Sequence, residues 1–185
     1  MEKPVHLLFV CIKNSNRSQL AEAWARILGG DRVVAYSAGV SASREVCPRA
    51  IESMAQLNYD MSGHTSKPLQ DLPVIKFDAV VCMGASEICP EIPARYRDEW
   101  AIPDSRHLPD SQYRAVRELI GWRVYDLLLD LGVSPVRVVN SRGCNHWLSW
   151  LNRVQINSTR LICSNGPKEK ARDSLPISRL CEILK

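Results

Sequence analysis

Cys11 and Arg17 bracket five polar or small-loop positions in VCIKNSNRSQLAE: Ile12, Lys13, Asn14, Ser15 and Asn16. None of the five is proline, so each keeps its backbone N–H. A loop between a strand and a helix N-terminus can turn such N–H groups inward and cradle an anion, helped by the helix dipole. Arg17 adds a planar, two-pronged donor for oxyanion oxygens. A cysteine at the base of such a cradle is favoured as thiolate. Ser18 is placed to donate a hydrogen bond to that sulfur, and Asn14 to brace the loop. The chemistry these residue types suit is attack by sulfur on a tetrahedral oxyanion held by residues 12–18 and Arg17.

The same spacing recurs at Cys89 and Arg95, which acts as an internal control. There the intervening residues are Pro90, Glu91, Ile92, Pro93 and Ala94. Two donors are missing and a carboxylate repels the anion, so this second match is not expected to form a cradle. Sulfur attack on an oxyanion also needs a proton donor for the departing oxygen. Asp104, in WAIPDSRH, is the candidate general acid, with Asp98 and Asp110 as rivals.

These groups need elements to position them. Val5–Val10 is a strand-length apolar run, and Ser18–Leu28 reads as a helix with Leu20, Trp24, Ile27 and Leu28 on one face. Arg32–Ser37 and Phe77–Cys82 read as further strands, with a short fourth near Glu99–Ile102. Pro48 opens a helix through about Asn58, and Asp110 or Ser111 opens a last one that stops near Leu131-Gly132. Alternating strands and helices predict an α/β fold, a four-stranded parallel sheet flanked by helices. Ligands bind such sheets outside the carboxyl ends of the strands. Cys11 and Cys82 both fall at that edge.

Beyond Gly132 the apolar period decays, which places a boundary between residues 1–132 and an unpatterned extension, 133–185, expected to be poorly ordered. Charge divides at the same point. Residues 1–132 carry 15 Lys and Arg against 17 Asp and Glu, and residues 133–185 carry 9 against 3. The first part has no basic surplus to suggest nucleic acid. Trp147 and Trp150 lie in the basic extension, whose bland reading is preferred over a docking patch. No apolar run approaches the roughly 20 residues that cross a bilayer, and MEKPVHLLFVC lacks the features of a signal peptide. A cytoplasmic protein is expected. Seven cysteines, an odd number, argue against a disulfide framework. No CxxC or CxxH pair suggests a metal, and none is expected. Cys47 reads as a helix-start thiol and His64 as a loop hydrogen-bonder; Cys144, Cys163 and Cys181 read as free thiols.

The stretches VCIKNSNRSQLAEAW, YSAG (Tyr36–Gly39), HTS (His64–Ser66), DAVVCM (Asp78–Met83) and YRAVRELI (Tyr113–Ile120) resemble the low-molecular-weight protein tyrosine phosphatase superfamily over about residues 4–131. The resemblance is strongest to its thioredoxin-coupled arsenate reductases. Those carry a second and a third cysteine seven residues apart, the third followed by proline, as at Cys82 and Cys89-Pro90. The resemblance implies a Rossmann-like three-layer sandwich and a thiol relay. Cys11 attacks arsenate, Cys82 then attacks Cys11, and Cys89 attacks Cys82 to leave a disulfide for thioredoxin, with glutathione and glutaredoxin as the other possible reductant. It implies no bound cofactor, and the charge and apolar-run readings above give no nucleic-acid or membrane partner. The chain departs from the family pattern at Lys13 and Asn16, often glycine and cysteine, and at Ser105, where proline is usual. Two other readings stay open: a phosphatase that hydrolyses a Cys11 phospho-intermediate, and a non-catalytic oxyanion-binding or redox-sensing module.

Overall fold

The structure, a computed structural model, describes residues 3–84 and 91–136. Cys89, Cys144, Cys163, Cys181, Trp147 and Trp150 lie outside the described residues. Four strands form the sheet: β1 (Val5–Cys11), β2 (Val33–Gly39), β3 (Phe77–Met83) and β4 (Ala94–Trp100). Their spatial order is β2-β1-β3-β4, and every neighbouring pair is parallel. The helices are α1 (Arg17–Gly29), α2 (Pro48–Ala55) and α3 (Asp110–Asp130). The expected parallel α/β sheet is thus present.

β1 lies between two neighbours and is buried on both faces, with Leu7, Leu8 and Phe9 fully enclosed. That explains a continuous apolar run rather than an alternating one. One face carries Leu8, Val10, Ala38, Val80 and Cys82, covered by Leu69, Leu72 and Ile75 from the segment before β3 and by Ile92. Helix α1 packs against β1 and β2, and its Glu22 accepts a hydrogen bond from Ser37 on the other face. The helices are joined by polar ties that cross the apolar packing. The Trp24 indole donates to the Arg117 carbonyl (3.0 Å), and the buried Arg117 guanidinium donates to the Ser53 carbonyl (2.7 Å).

Both long connections out of helices end on a left-handed residue. After α3, Gly132 has φ +78°; its amide reaches the Leu129 carbonyl and the Val133 amide the Leu128 carbonyl. This is the Schellman arrangement, and it places the stop where the Leu131-Gly132 signal predicts. α2 ends three residues earlier than expected for the same reason. Asn58 sits at φ +58°, and its amide and that of Tyr59 close back on Ala55 and Met54. Asn is the non-glycine residue that accepts this conformation most easily. The chain still packs past Gly132. Val133 is buried, and the Val136 amide donates to the Leu28 carbonyl at 2.6 Å.

β4 corrects the sequence expectation: it spans Ala94–Trp100 rather than Glu99–Ile102. It is an edge strand in which Arg95, Arg97 and Glu99 are exposed while Ala94, Tyr96 and Asp98 are half-buried. Charges along an edge discourage pairing with another chain, and they hide the strand from a search for apolar runs. Arg95 is one of these edge residues.

α3 can approach α1 closely because residue 121 is glycine. A Cβ there would meet Trp24 Cε2 at 2.7 Å, and that indole is fully enclosed. Gly121→Ala should therefore destabilise by about 1–3 kcal/mol through overpacking, despite the roughly 1 kcal/mol helix-propensity gain of alanine over glycine. Urea unfolding should show a lower midpoint with unchanged m; an unchanged or raised midpoint would mean that the helices can separate without cost.

Candidate active site

Residues 11–17 connect β1 to α1, and the carbonyls of residues 11–15 are engaged from outside the loop. The Cys11, Ile12 and Lys13 carbonyls accept from the amides of Val40, Ser41 and Ser43 at 2.8–3.1 Å, and the Ser15 carbonyl from the Cys47 amide at 2.8 Å. The Asn14 carbonyl accepts from Gln19 Nε2 at 3.0 Å. In a planar trans peptide the following N–H points the opposite way from its carbonyl. Turning the carbonyls outward therefore turns the amides of Ile12 through Asn16 inward. The Asn14 amide demonstrates the direction, since it donates to Cys11 Sγ at 3.2 Å. Gly39, the glycine of YSAG, permits the approach of β2: a Cβ there would meet the Ile12 carbonyl oxygen at 2.7 Å.

Asn14 is the brace expected of it. It adopts φ +47° and is fully enclosed. Its Nδ2 donates to Ser18 Oγ (2.9 Å) and Ser37 Oγ (2.8 Å), and its Oδ1 accepts from the Lys67 amide (2.9 Å). Ser18 Oγ lies 3.0 Å from Cys11 Sγ. Because that oxygen accepts from Asn14, the hydroxyl hydrogen is left for the sulfur. Cys11 is itself buried, at 3% exposure.

One concavity is lined by Cys11, Ile12, Lys13, Ser15, Asn16 and Arg17 from this loop, and by Asp104 and Arg106 from the segment after β4. That segment is fastened to the loop. Arg17 Nη1 donates to the Ile102 carbonyl (3.1 Å), and Asn16 Nδ2 donates to Ser105 Oγ (3.1 Å). Asn16 Oδ1 accepts from the Tyr113 hydroxyl (2.7 Å). Of the three candidate acids, Asp104 alone lines the concavity. Asp98 accepts from Trp100 Nε1 (3.0 Å) on β4, and Asp110 pairs with Arg49 at the start of α3. Hydrogen bonds from the Arg106 guanidinium hold the Asp104 carboxyl down to about 2.

Cys82 is at the carboxyl end of β3, in register with Val10 of the neighbouring β1. Strand side chains alternate between faces. Cys82 therefore shares a face with Val10, while Cys11, one residue on, belongs to the other. Cys82 is disulfide-bonded, whereas Cys11 and Cys47 are free. Cys47 precedes Pro48 at the start of α2, as its sequence position suggests. Among the described residues no group of three His, Cys, Asp or Glu is placed to hold a metal, and no helix is long and apolar enough to cross a membrane.

His64 is a hydrogen-bonder at one remove from the loop. Its Nδ1 meets Gln19 Oε1 at 2.9 Å, and its Nε2 meets the Tyr59 hydroxyl at 3.0 Å. Gln19 Nε2 in turn holds the Asn14 carbonyl, Asn14 Oδ1 and the Thr65 carbonyl. Gln19 Oε1 can only accept, so Nδ1 carries the hydrogen and Nε2 accepts from Tyr59. Gln19, Tyr113, Ser37 and Arg106 are site residues that the motif reading assigned no role. Ser37 lies within the quoted YSAG, and Tyr113 opens the quoted YRAVRELI.

The chain belongs to the low molecular weight phosphotyrosine protein phosphatase family, which matches residues 6–135. Among its curated relatives, the arsenate reductase 2 of Staphylococcus saprophyticus is 37% identical over 121 residues, which are 64% of this chain and 92% of the relative. An arsenate reductase solved in the phosphate-binding state aligns with a TM-score of 0.64 and 31% identity, over 70% of this chain and 99% of that one. A thioredoxin-dependent arsenate reductase of Corynebacterium glutamicum aligns with a TM-score of 0.59 and 26% identity, over 71% of this chain and 63% of that one.

Burial holds His64 below its ordinary value, so below about pH 6.5 the unfolded chain takes up protons that the folded chain resists. Its contribution to stability should be complete well above that pH and decline as pH falls through it. The unfolding free-energy difference between the wild type and His64→Gln should accordingly shrink between about pH 7.5 and pH 5.5. A difference that grows on acidification would assign His64 the charged form.

Proposed function

We propose that this chain reduces arsenate to arsenite by a relay of three thiols. The observation that carries the reading is the amide-lined loop in front of Cys11, with Cys82 at the end of the adjacent strand on the opposite face. Cys11 thiolate attacks the arsenic of arsenate, and an arsenic-bound oxygen departs as water with a proton from Asp104. Cys82 thiolate then attacks Cys11 sulfur; the S–As pair of electrons returns to arsenic, and arsenite leaves. Cys89 attacks Cys82 and frees Cys11. The overall balance is one arsenate and two thiols to one arsenite, one water and one disulfide, each sulfur step being thiolate exchange.

The bond at Cys82 supports this order. Neither Cys11 nor Cys47 makes it, and the last exchange of the proposed relay would leave a bond at Cys82. Thioredoxin is the proposed reductant, by analogy with the C. glutamicum enzyme. The relay requires a compartment that keeps thiols reduced, hence the cytoplasm. All five proposed relay and catalytic residues, Cys11, Arg17, Cys82, Cys89 and Asp104, fall within residues 1–132. We assign the chemistry there and regard 133–185 as an accessory basic extension.

Arsenate-dependent NADPH consumption, coupled in parallel to thioredoxin and to glutaredoxin with glutathione, tests the reading. Cys11→Ser should abolish turnover. Cys89→Ala should stop multiple turnover yet release a single equivalent of arsenite and accumulate a Cys11–Cys82 disulfide. Normal thioredoxin-coupled turnover by Cys89→Ala would replace the three-cysteine relay with a two-cysteine, glutathione-dependent one. Hydrolysis of p-nitrophenyl phosphate without arsenate reduction would establish the phosphatase reading instead. Asp104→Asn should slow the first chemical step by about 10²-fold or more; an unaffected step would exclude Asp104 as the acid.

A further inference from the structure

Asp104 as it stands presents two difficulties. A carboxylate at the mouth of an anion site repels the anion, and an ionised carboxylate has no proton to give. Arg106 bears on both, since it partly neutralises the carboxylate and holds it in the ionised form. Its Nε lies 3.0 and 3.1 Å from the two Asp104 oxygens, its Nη2 2.6 Å from Oδ2, and its amide 3.2 Å from Oδ1. The pair belongs to one short segment and both members line the concavity above Cys11.

The backbone beneath the pair is fixed. Ser105, fully enclosed, is held by Asn16, and the Arg106 carbonyl accepts from Arg49 Nη1 at 3.1 Å. The two side chains are open to solvent, those of Asp104 and Arg106 being 42% and 36% exposed. Arg106 lines the same concavity as Cys11 and Arg17, so its guanidinium borders both its present carboxylate and the space an oxyanion would occupy. A guanidinium fork fits an oxyanion edge as well as a carboxylate.

We infer that Arg106 is a second oxyanion-binding guanidinium, which exchanges Asp104 for the bound anion and so releases Asp104 to act as the acid. The anion gains a partner that Arg17 alone does not supply. Asp104 loses its cation at the moment a negative charge arrives beside it, which favours its protonated form. The acid is armed when the site is filled. The inference rests on the oxyanion-site reading above, but not on reduction.

Sulfate, an anion that does not titrate near neutral pH, is the probe, and calorimetry on the full-length reduced protein is the measurement. Arg106→Gln should weaken sulfate binding about tenfold, and Arg106→Lys should recover part of the loss. Asp104→Asn should tighten binding, because the guanidinium is no longer held back; most of that gain should vanish when Arg106→Gln is added. With arsenate, Arg106→Gln should raise KM more than it lowers kcat. Sulfate affinity within twofold of wild type in a folded Arg106→Gln protein would overturn the inference. So would an Asp104→Asn gain that survives intact in the double variant, since that gain would be simple relief of repulsion. Intact sulfate coupling without any arsenate reduction would sink the relay and leave Arg106 in place.

Discussion

The structure depends on the outward turn of the carbonyls in residues 11–15. Hydrogen bonds from Val40, Ser41, Ser43 and Cys47 hold them there, and the inward amides follow from peptide planarity. The turn cannot be made with ordinary backbone throughout. Asn14 takes the left-handed conformation and repays the strain with side-chain bonds to Ser18, Ser37 and the Lys67 amide. β2 must end in glycine because its backbone passes directly beneath. The sheet thus supplies more than a platform: the strand next to β1 sets the polarity of the loop.

Two of the chain's departures from the family pattern form one contact. Asn16 stands where cysteine is frequent and Ser105 where proline is usual, and their side chains meet at 3.1 Å. Both residues are buried, so either change made alone would leave a polar group without this partner, at a cost of about 1–3 kcal/mol. Tyr113 completes the set by donating to Asn16 Oδ1. The result ties the anion loop to the segment carrying Asp104 and to α3.

Much of this was legible in the residues because it is local. The β1 run, the donor-rich loop, the α1 stripe and the Gly132 stop each announce themselves within a few positions, and Asn14 and Ser18 follow from where they stand in the loop. What the residues hid is nonlocal or solvent-facing. β4 escaped because an edge strand displays its charges. The end of α2 escaped because nothing marks Asn58, among other polar residues, as the one in the left-handed region. Gln19 reads as a helix residue until its partners, His64 and Thr65, are brought across from a distant segment. Arg106 was passed over because its meaning lies in sharing a concavity with Cys11.

The alternation of side chains on β1 and β3 places Cys11 and Cys82 on opposite faces of one continuous sheet. While the ladder holds Val10 against Cys82, the second sulfur lies in the apolar layer with Leu8 and Val80, screened from the first by the backbone between them. In the proposed relay, crossing would require the last rung of β3 to open. That opening would be a clock, running against the hydrolysis of the ester formed on Cys11. An ester that water removed faster than the rung opened would leave as a hydrolysed product, and one that persisted would meet the second thiol. The sheet edge would thereby sort oxyanions by the lifetime of their bond to sulfur, a quantity that neither the shape nor the charge of the loop can measure.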